Sequence, residues 1–464
     1  MFIKSVYVIL SILISLDFSS FNGEIFFAII YCLEGGFMKK NNKMLLDVNE
    51  KPPVLKWILL SLQHVFAMFG ATILVPILVN TASGTEVLSI PVALISSGIG
   101  TLIYIICTRG KSPVYLGSSF AFITPMIVGF AKSGKASVFT AIMAVGLVYV
   151  LVALIIKLVG KKWINKLLPP IVVGPMIMII GLSLAPTAVE EIGLNMETVP
   201  WKNIVVALVA FLTTGILAVR GKGFLKVIPF LMGMVAGYIA SMILSMVDYS
   251  GIVSAKIIAK PDFYLPFVHY KLNFGALLTI VPIALVTISE HIGDHKVLSE
   301  IIDKDLIEDP GLDNTLMGDG IATFAAGLIG GPANTTYGEN TSVVGMTKVA
   351  SVWVIGLAAI IAIIFGFLGQ LTAIISSIPT PVLGGVSILL YGFISVNGLK
   401  ILIQNKVDFG NTKNVIVASS MLVLGLGGAV ISVVTKNINL SISGMSLAAI
   451  VGILLNLLIK EEKE

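Results

Sequence analysis

Apolar runs of about 17 to 25 residues recur along nearly the whole chain, and each is long enough to cross a hydrocarbon core of about 30 Å as a helix. No soluble interior hides so many runs of that length. Apolar residues make up 56% of the sequence and charged residues 12%, against the roughly 25% charged expected of a soluble globular protein, so the bilayer is the solvent. In lipid only helices and closed barrels satisfy their own backbone hydrogen bonds. The runs are continuous rather than alternating, which selects helices. The expected fold class is an all-α polytopic membrane protein.

The net charge of +5 does not point to nucleic acid, because the basic residues fall in short clusters between apolar runs. Arg109 with Lys111, Lys161 with Lys162 and Lys166, and Arg220 with Lys222 and Lys226 follow the positive-inside pattern of cytoplasmic loops. Two cysteines, Cys32 and Cys107, allow neither a disulfide framework nor a four-cysteine metal site. The glycine-rich pieces lack the Gly-Lys-Ser/Thr ending that cradles phosphate, so no nucleotide-driven step is expected, and no cofactor.

Hydropathy places spans near 57–79, 86–107, 137–159, 171–185, 203–219, 227–247, 274–298, 314–329, 351–369, 379–396, 412–434 and 440–459. Two further segments, 113–130 and 332–348, are apolar in part but broken by Gly, Pro, Ser and Thr. Counting them gives about fourteen crossings, with both termini in the cytoplasm of a cell-membrane protein. Each broken segment is third in a run of seven. Because seven is odd, the second copy starts from the opposite face, which predicts a 7+7 inverted repeat with a ligand site between segments 3 and 10. Non-helical backbone at that depth is tolerated only inside protein or against a cavity.

Three readings compete for the first residues: a signal sequence, an interfacial segment, or translated upstream DNA ahead of a start at Met38. The last is preferred, since Met38 opens a polar Met-Lys-Lys-Asn-Asn stretch and Glu34-Gly-Gly-Phe37 fits a purine-rich, ribosome-binding-like sequence. Residues 1–37 are then an extension, and 38–56 a cytoplasmic amino terminus.

The run Val286-Thr-Ile-Ser-Glu290-His291-Ile-Gly-Asp294-His295 places two carboxylates and two imidazoles on one apolar helix. Ionisable groups at that depth are expensive and by default face a cavity and act. Glu290 and Asp294 are four apart and share a face, and His291 and His295 share the next. Glu290, with an acidic neighbour in a low-dielectric site, suits a proton carrier. The competing reading is a polar pair packed between helices.

The second constellation, Gly330-Gly-Pro-Ala-Asn334-Thr-Thr-Tyr337-Gly338-Glu339-Asn340-Thr-Ser342, reads as an extended piece entering a short helix. A helix start presents free N–H groups to a ligand carbonyl, and Glu339 beside them supplies an acceptor. A flat ring carrying both NH and C=O groups matches that pattern. The alternative is a loop outside the membrane. Tyr115-Leu-Gly-Ser118-Ser119-Phe120-Ala-Phe122 provides the facing extended piece, with Phe120 or Phe122 available to stack on a ring. Gln63 and His64, inside the first span, read as hydrogen-bonded supports or as helix-to-helix glue.

These residues resemble the nucleobase-ascorbate (nucleobase:cation symporter 2) transporters from about Pro52 to Lys460. The anchors are Ser61-Leu-Gln63-His64-Val-Phe-Ala-Met-Phe-Gly70, Tyr115-Leu-Gly-Ser-Ser-Phe120, Ser289-Glu290-His291-Ile-Gly293, and Asn334-Thr-Thr-Tyr-Gly338-Glu339-Asn340 with Thr347 and Lys348. The resemblance implies a core domain (57–166 and 274–375) moving against a gate domain (167–273 and 376–464), homodimers, and proton-coupled uptake of uracil. It further implies that Glu290 and Glu339 accept hydrogen bonds from uracil NH groups and that the backbone at Phe120 and Gly338 serves the carbonyls. Purine-selective members usually carry Gln where this chain has Glu339, so the resemblance implies that the glutamate favours a pyrimidine, with xanthine or urate as the alternative substrate. Asp294 stands where the family's best-known uracil carrier has histidine, which leaves the proton relay between Glu290 and Asp294 open. Ser342 replaces the glycine of the family signature.

Two other classes compete. His291-Ile-Gly-Asp294-His295 mimics the inverted zinc motif His-x-x-Glu-His of a metalloenzyme, without an evident third ligand. A passive channel fits poorly with buried carboxylates and broken helices.

Overall fold

The computed structural model describes residues 44–268, 272–434 and 439–459. The extension 1–37, the proposed start at Met38 and the tail beyond 459 lie outside the described residues.

The chain is mostly helical. Its first half runs through α1 (Val54–Ser83), α2 (Ile90–Cys107), strand β1 (Leu116–Ser118), a 3₁₀ turn (Phe120–Phe122), α3 (Ile123–Val159), α4 (Lys162–Leu167), α5 (Pro170–Ser183), α6 (Ala185–Ile192), α7 (Trp201–Arg220), α8 (Pro229–Ile243) and α9 (Ser250–Ser254). The second half contains α10 (Phe274–Ile280), α11 (Ile283–Ile302), α12 (Leu312–Leu328), β2 (Asn334–Thr336), α13 (Gly338–Thr347), α14 (Val352–Phe365), α15 (Gly369–Ser376), α16 (Thr380–Gln404), α17 (Thr412–Leu426), the pair β3 (Val430–Val434) and β4 (Asn439–Ser443), and α18 (Gly444–Leu458). Among the described residues, seven helical stretches are long and apolar enough to cross a membrane, and four shorter ones are also apolar.

Proline starts several of these helices. It occupies the first turn of α2, α5, α8 and α16, where its missing N–H would have no intrahelical acceptor anyway. The expected span at 274–298 is two helices meeting at Val281–Pro282. Its second piece runs on to Ile302, which sets Glu290 well inside the helix. The segments expected at 113–130 and 137–159 join within α3 through Gly134, whose φ of 76° lies in the left-handed region open to glycine.

One expected span is corrected. Residues 412–434 are not a continuous helix: α17 stops at Leu426, before Gly427-Gly428, and Val430–Val434, four of whose five residues are β-branched, pairs antiparallel with Asn439–Ser443. The all-α expectation is amended to this extent, and again by β1 and β2.

Packing sorts the helices. α12 lies against α2 and α3, α14 against α1 and α2, and α10 against α3. In the other set α16 packs on α5, α6 and α7, α8 on α7, and α17 on α18 and α5. Three ion pairs, Lys111 with Asp309, Lys161 with Glu308 and Lys304 with Asp47, gather where α1 begins and α2, α3 and α11 end. There the segment before α1 lies along Lys348–Val352, with Leu45 N–H donating to the Lys348 carbonyl at 2.7 Å and Val352 N–H to the Val48 carbonyl at 2.9 Å.

Candidate functional site

The site is organised by β1 and β2, which come from the two broken segments and pair antiparallel, with Leu116 opposite Thr336, Gly117 opposite Thr335 and Ser118 opposite Asn334. A two-stranded piece inside a helical bundle leaves its outer edges unpaired, and buried backbone groups need partners. Side-chain hydroxyls fill that role. Ser97 Oγ donates to the Leu116 carbonyl at 2.8 Å, Leu116 N–H donates to Thr101 Oγ1 at 2.9 Å, and Thr323 Oγ1 donates to the Asn334 carbonyl at 3.1 Å. The flanks continue the pairing through Ser119 N–H to the Ala333 carbonyl (2.9 Å) and Tyr337 N–H to the Tyr115 carbonyl (3.1 Å).

Tyr337 locks the pair. Its phenol donates to the Ser118 carbonyl at 2.9 Å and accepts from Thr72 Oγ1 at 3.2 Å. A Cβ on Gly117 would stand 2.3 Å from that ring, so glycine is required by this close approach.

After β2 the chain turns at Tyr337 into α13, whose first turn holds Gly338 and Glu339. First-turn N–H groups have no intrahelical acceptor, and the cap supplies no side-chain bond. Gly338 is exposed, and a Cβ placed on it would meet nothing within 4 Å. Its backbone therefore faces open space. Glu339, Ser342 and Met346 follow along one face of α13 and line a cavity of about 290 Å³, walled across by Ala67 to Leu74 of α1, by Lys226 to Leu231, and by Leu390 and Phe393. Ser342 Oγ donates back to the Gly338 carbonyl at 2.9 Å.

α11 supplies the remaining acids. Glu290 and Asp294 are half-buried on one face, as their spacing predicts, and Glu290 lies within electrostatic range of Asp294, Glu339 and Asp319. Asp294 accepts from Thr336 Oγ1 of β2 at 2.6 Å, which ties α11 to the strand pair. Phe120 is half-buried at the turn after β1, while Phe122 is fully buried and packs in the core, so only the first is available to a ligand.

The supporting residues divide. Asn340 Nδ2 reaches His64 Nδ1 at 3.1 Å and the His64 carbonyl at 3.2 Å, fastening α13 to α1. Gln63 is buried beside it, its Oε1 without a protein partner among the described residues. Ser119 is buried, and its hydroxyl likewise has none. Thr347 is turned back on its own helix, its hydroxyl donating to the Val343 carbonyl at 2.8 Å and accepting from Val349 N–H at 3.3 Å.

His291 and His295 face away from the acids Glu290 and Asp294. His295 Nδ1 lies 2.7 Å from the His291 carbonyl, which only accepts, so Nδ1 carries the proton and Tyr104 donates to Nε2 at 2.6 Å. His291 Nδ1 meets Asp319 Oδ2 at 2.9 Å, both side chains fully buried, and the two imidazoles stack with centroids 4.0 Å apart. Asp319 was not singled out in the sequence. It is one acid in the small-residue run Gly318-Asp-Gly320 of α12, and an acid inside a membrane helix is itself the signal that finds it.

Comparison with known proteins bears on this site. A family model described as "Permease family" (Xan_ur_permease) matches residues 55–435. The chain is 48% identical over 424 residues to a uracil permease of Bacillus caldolyticus, covering 90% of this chain and 95% of that protein. It is 46% identical over 429 residues to a uracil permease of Bacillus subtilis (strain 168), covering 91% and 97%. With a uracil permease of Escherichia coli (strain K12) the identity is 41% over 418 residues, covering 89% and 94%. Among solved structures, the fold is similar to the transmembrane domain of the cyanobacterial bicarbonate transporter BicA (TM-score 0.56, 15% identity, 89% of this chain and 100% of that one). It is also similar to the murine anion transporter Slc26a9 in the inward-facing state (TM-score 0.64, 12% identity, 95% and 72%).

Proposed function

The chain belongs to the nucleobase-ascorbate transporter family, and from that premise we propose that it imports uracil together with protons across the cytoplasmic membrane by alternating access. The observation that carries this reading is the convergence of Glu290 with the first turn of α13, where Glu339 stands beside a Gly338 backbone that faces open space. Uracil's ring NH groups donate to the two carboxyl groups. Its carbonyl oxygens accept from the backbone N–H groups of Gly338 and Phe120, and the Phe120 ring stacks on the base. A buried acceptor left unpaired penalises the wrong ring strongly, and the glutamate at 339, where purine-selective members of the family usually carry Gln, favours a pyrimidine over xanthine or urate.

Glu290 and Asp294 carry the proton coupling. Like charges crowded in a low-dielectric region share protons rather than ionise together, and Asp319 lies within the same range. Asp294, bonded to Thr336, connects the protonation state of α11 to the strand that leads into Gly338.

The architecture in this reading has fourteen crossings as two inverted sets of seven, with both termini cytoplasmic and two copies forming a dimer. The pairing of β1 with β2, each third in its set, supports the repeat. The two packing sets, one around α2 and α12 and one around α16, support a core that moves against a gate.

Uptake of labelled uracil into proteoliposomes tests the function. Uptake should rise with an inward proton gradient and persist in the presence of unlabelled xanthine. No uptake, or equal block by xanthine, sinks the uracil assignment.

A further inference from the structure

Glu191 occupies the last turn of α6, remote in sequence from every residue assigned above. It is 6% exposed, and neither of its carboxyl oxygens has a hydrogen-bond partner among the described residues. Its side chain is pressed on α16, where a Cβ placed on Gly384 would stand 3.0 Å from Glu191 Cβ. Positions three and seven residues beyond Gly384 share that helical face. They are Ser387 and Tyr391, both buried at 2% exposure or less, and their hydroxyls lie within reach of each other with no further partner among the described residues. Three oxygen-bearing side chains therefore meet in one seam, and Tyr391 lies within electrostatic range of Glu191.

The surrounding charges do not neutralise this carboxyl group. On α6 the neighbour is Glu190, exposed and of the same sign. On α16 the titratable neighbour is Tyr391. On α7, Lys202 donates to the Leu244 carbonyl at 3.0 Å, and Asn203 Nδ2 donates to the Ile192 carbonyl at 3.2 Å. A carboxylate buried without a countercharge is strongly disfavoured, and orphaned polar groups in a native interior call for an occupant. An ionisable group inside a membrane helix marks a site by default.

We propose that Glu191, Ser387 and Tyr391 form a second small-cation site, separate from the uracil carboxylates, that takes a proton or an alkali-metal ion. The carboxyl group supplies the negative charge and the two hydroxyl oxygens complete an oxygen-only set, the donor chemistry of hard cations. The site lies where α6 packs on α16, so its occupancy is linked to the tightness of that seam.

The test uses the purified full chain without uracil, so its outcome stands apart from the transport assignment. Melting temperature is followed against sodium at fixed pH, and against pH in sodium-free choline buffer. A ligand that binds the folded state raises the melting temperature with its concentration. A sodium response lost in Glu191→Gln assigns the alkali ion, and a pH response lost in the same variant assigns the proton. Tyr391→Phe should weaken whichever response is found, and it decides the matter if Glu191→Gln does not fold. If Glu191→Gln, or Tyr391→Phe in its place, keeps the wild-type responses to both sodium and pH, the site does not exist.

Discussion

The phenol of Tyr337 donates to the carbonyl of Ser118 at 2.9 Å, binding the second broken segment to the first across the strand pair. Tyr337→Phe removes this bond and the one from Thr72, leaving a buried carbonyl with one partner fewer. Loss of such a partner costs about 1 to 3 kcal/mol. A lower melting temperature and reduced uracil uptake are expected in the same variant, and unchanged values of both would show that the lock is idle.

Gly338→Ala separates stability from binding. The added methyl group meets no protein atom within 4 Å, and alanine is the better helix former, so the melting temperature should hold or rise slightly. The same methyl group occupies the space through which the backbone meets the base. Titration calorimetry should find uracil binding weakened by at least about tenfold, a loss of about 1.4 kcal/mol.

Outside the membrane spans, Lys304 holds Asp47 through a charge-assisted bond of 2.6 Å, and the Val48 N–H adds a second, so the Asp47 carboxyl titrates below the usual carboxylate range. A depressed folded value contributes stability above the unfolded value of about 3.9, and the contribution is lost as pH falls through the folded value. Both side chains are about half exposed, which limits the pair to at most about 1 kcal/mol. Asp47→Asn should melt slightly below the wild type at neutral pH, and the two curves should converge in acid. A gap that widens on acidification would reverse the assignment.

Asp294→Asn keeps an oxygen that can accept from Thr336 but removes a titrating group. Uracil affinity should change little, while the dependence of uptake on external pH flattens. An unchanged pH profile takes Asp294 out of the proton path.

The two broken segments were legible in the sequence because Gly, Pro, Ser and Thr interrupt an otherwise continuous apolar pattern, and the same residues then supply the hydroxyl bonds that seal the strand edges. Glu290 and Asp294 were legible through their spacing of four on an apolar helix. Residues 412–434 were misread because hydropathy does not distinguish a helix from a Val-rich strand, and the break is carried by two glycines alone. Asp319 and Glu191 escaped for another reason. Asp319 is a single acid between glycines and Glu191 the second of the pair Glu190-Glu191, and the burial of each depends on helices distant in sequence: α11 across from Asp319, α16 across from Glu191.

Equilibrium binding of uracil to the purified protein tests the central assignment most directly. Glu290→Gln and Glu339→Gln each keep one accepting oxygen but turn the other into an NH2 that only donates and remove the charge, in a side chain of similar size, so the fold should persist in both. Exchanging a charged acceptor for a neutral one weakens the bond by about 1 kcal/mol or more, which predicts affinity at least about fivefold weaker in each variant than in the wild type. Wild-type affinity in either folded variant would contradict the claim that these two carboxyl groups read the base.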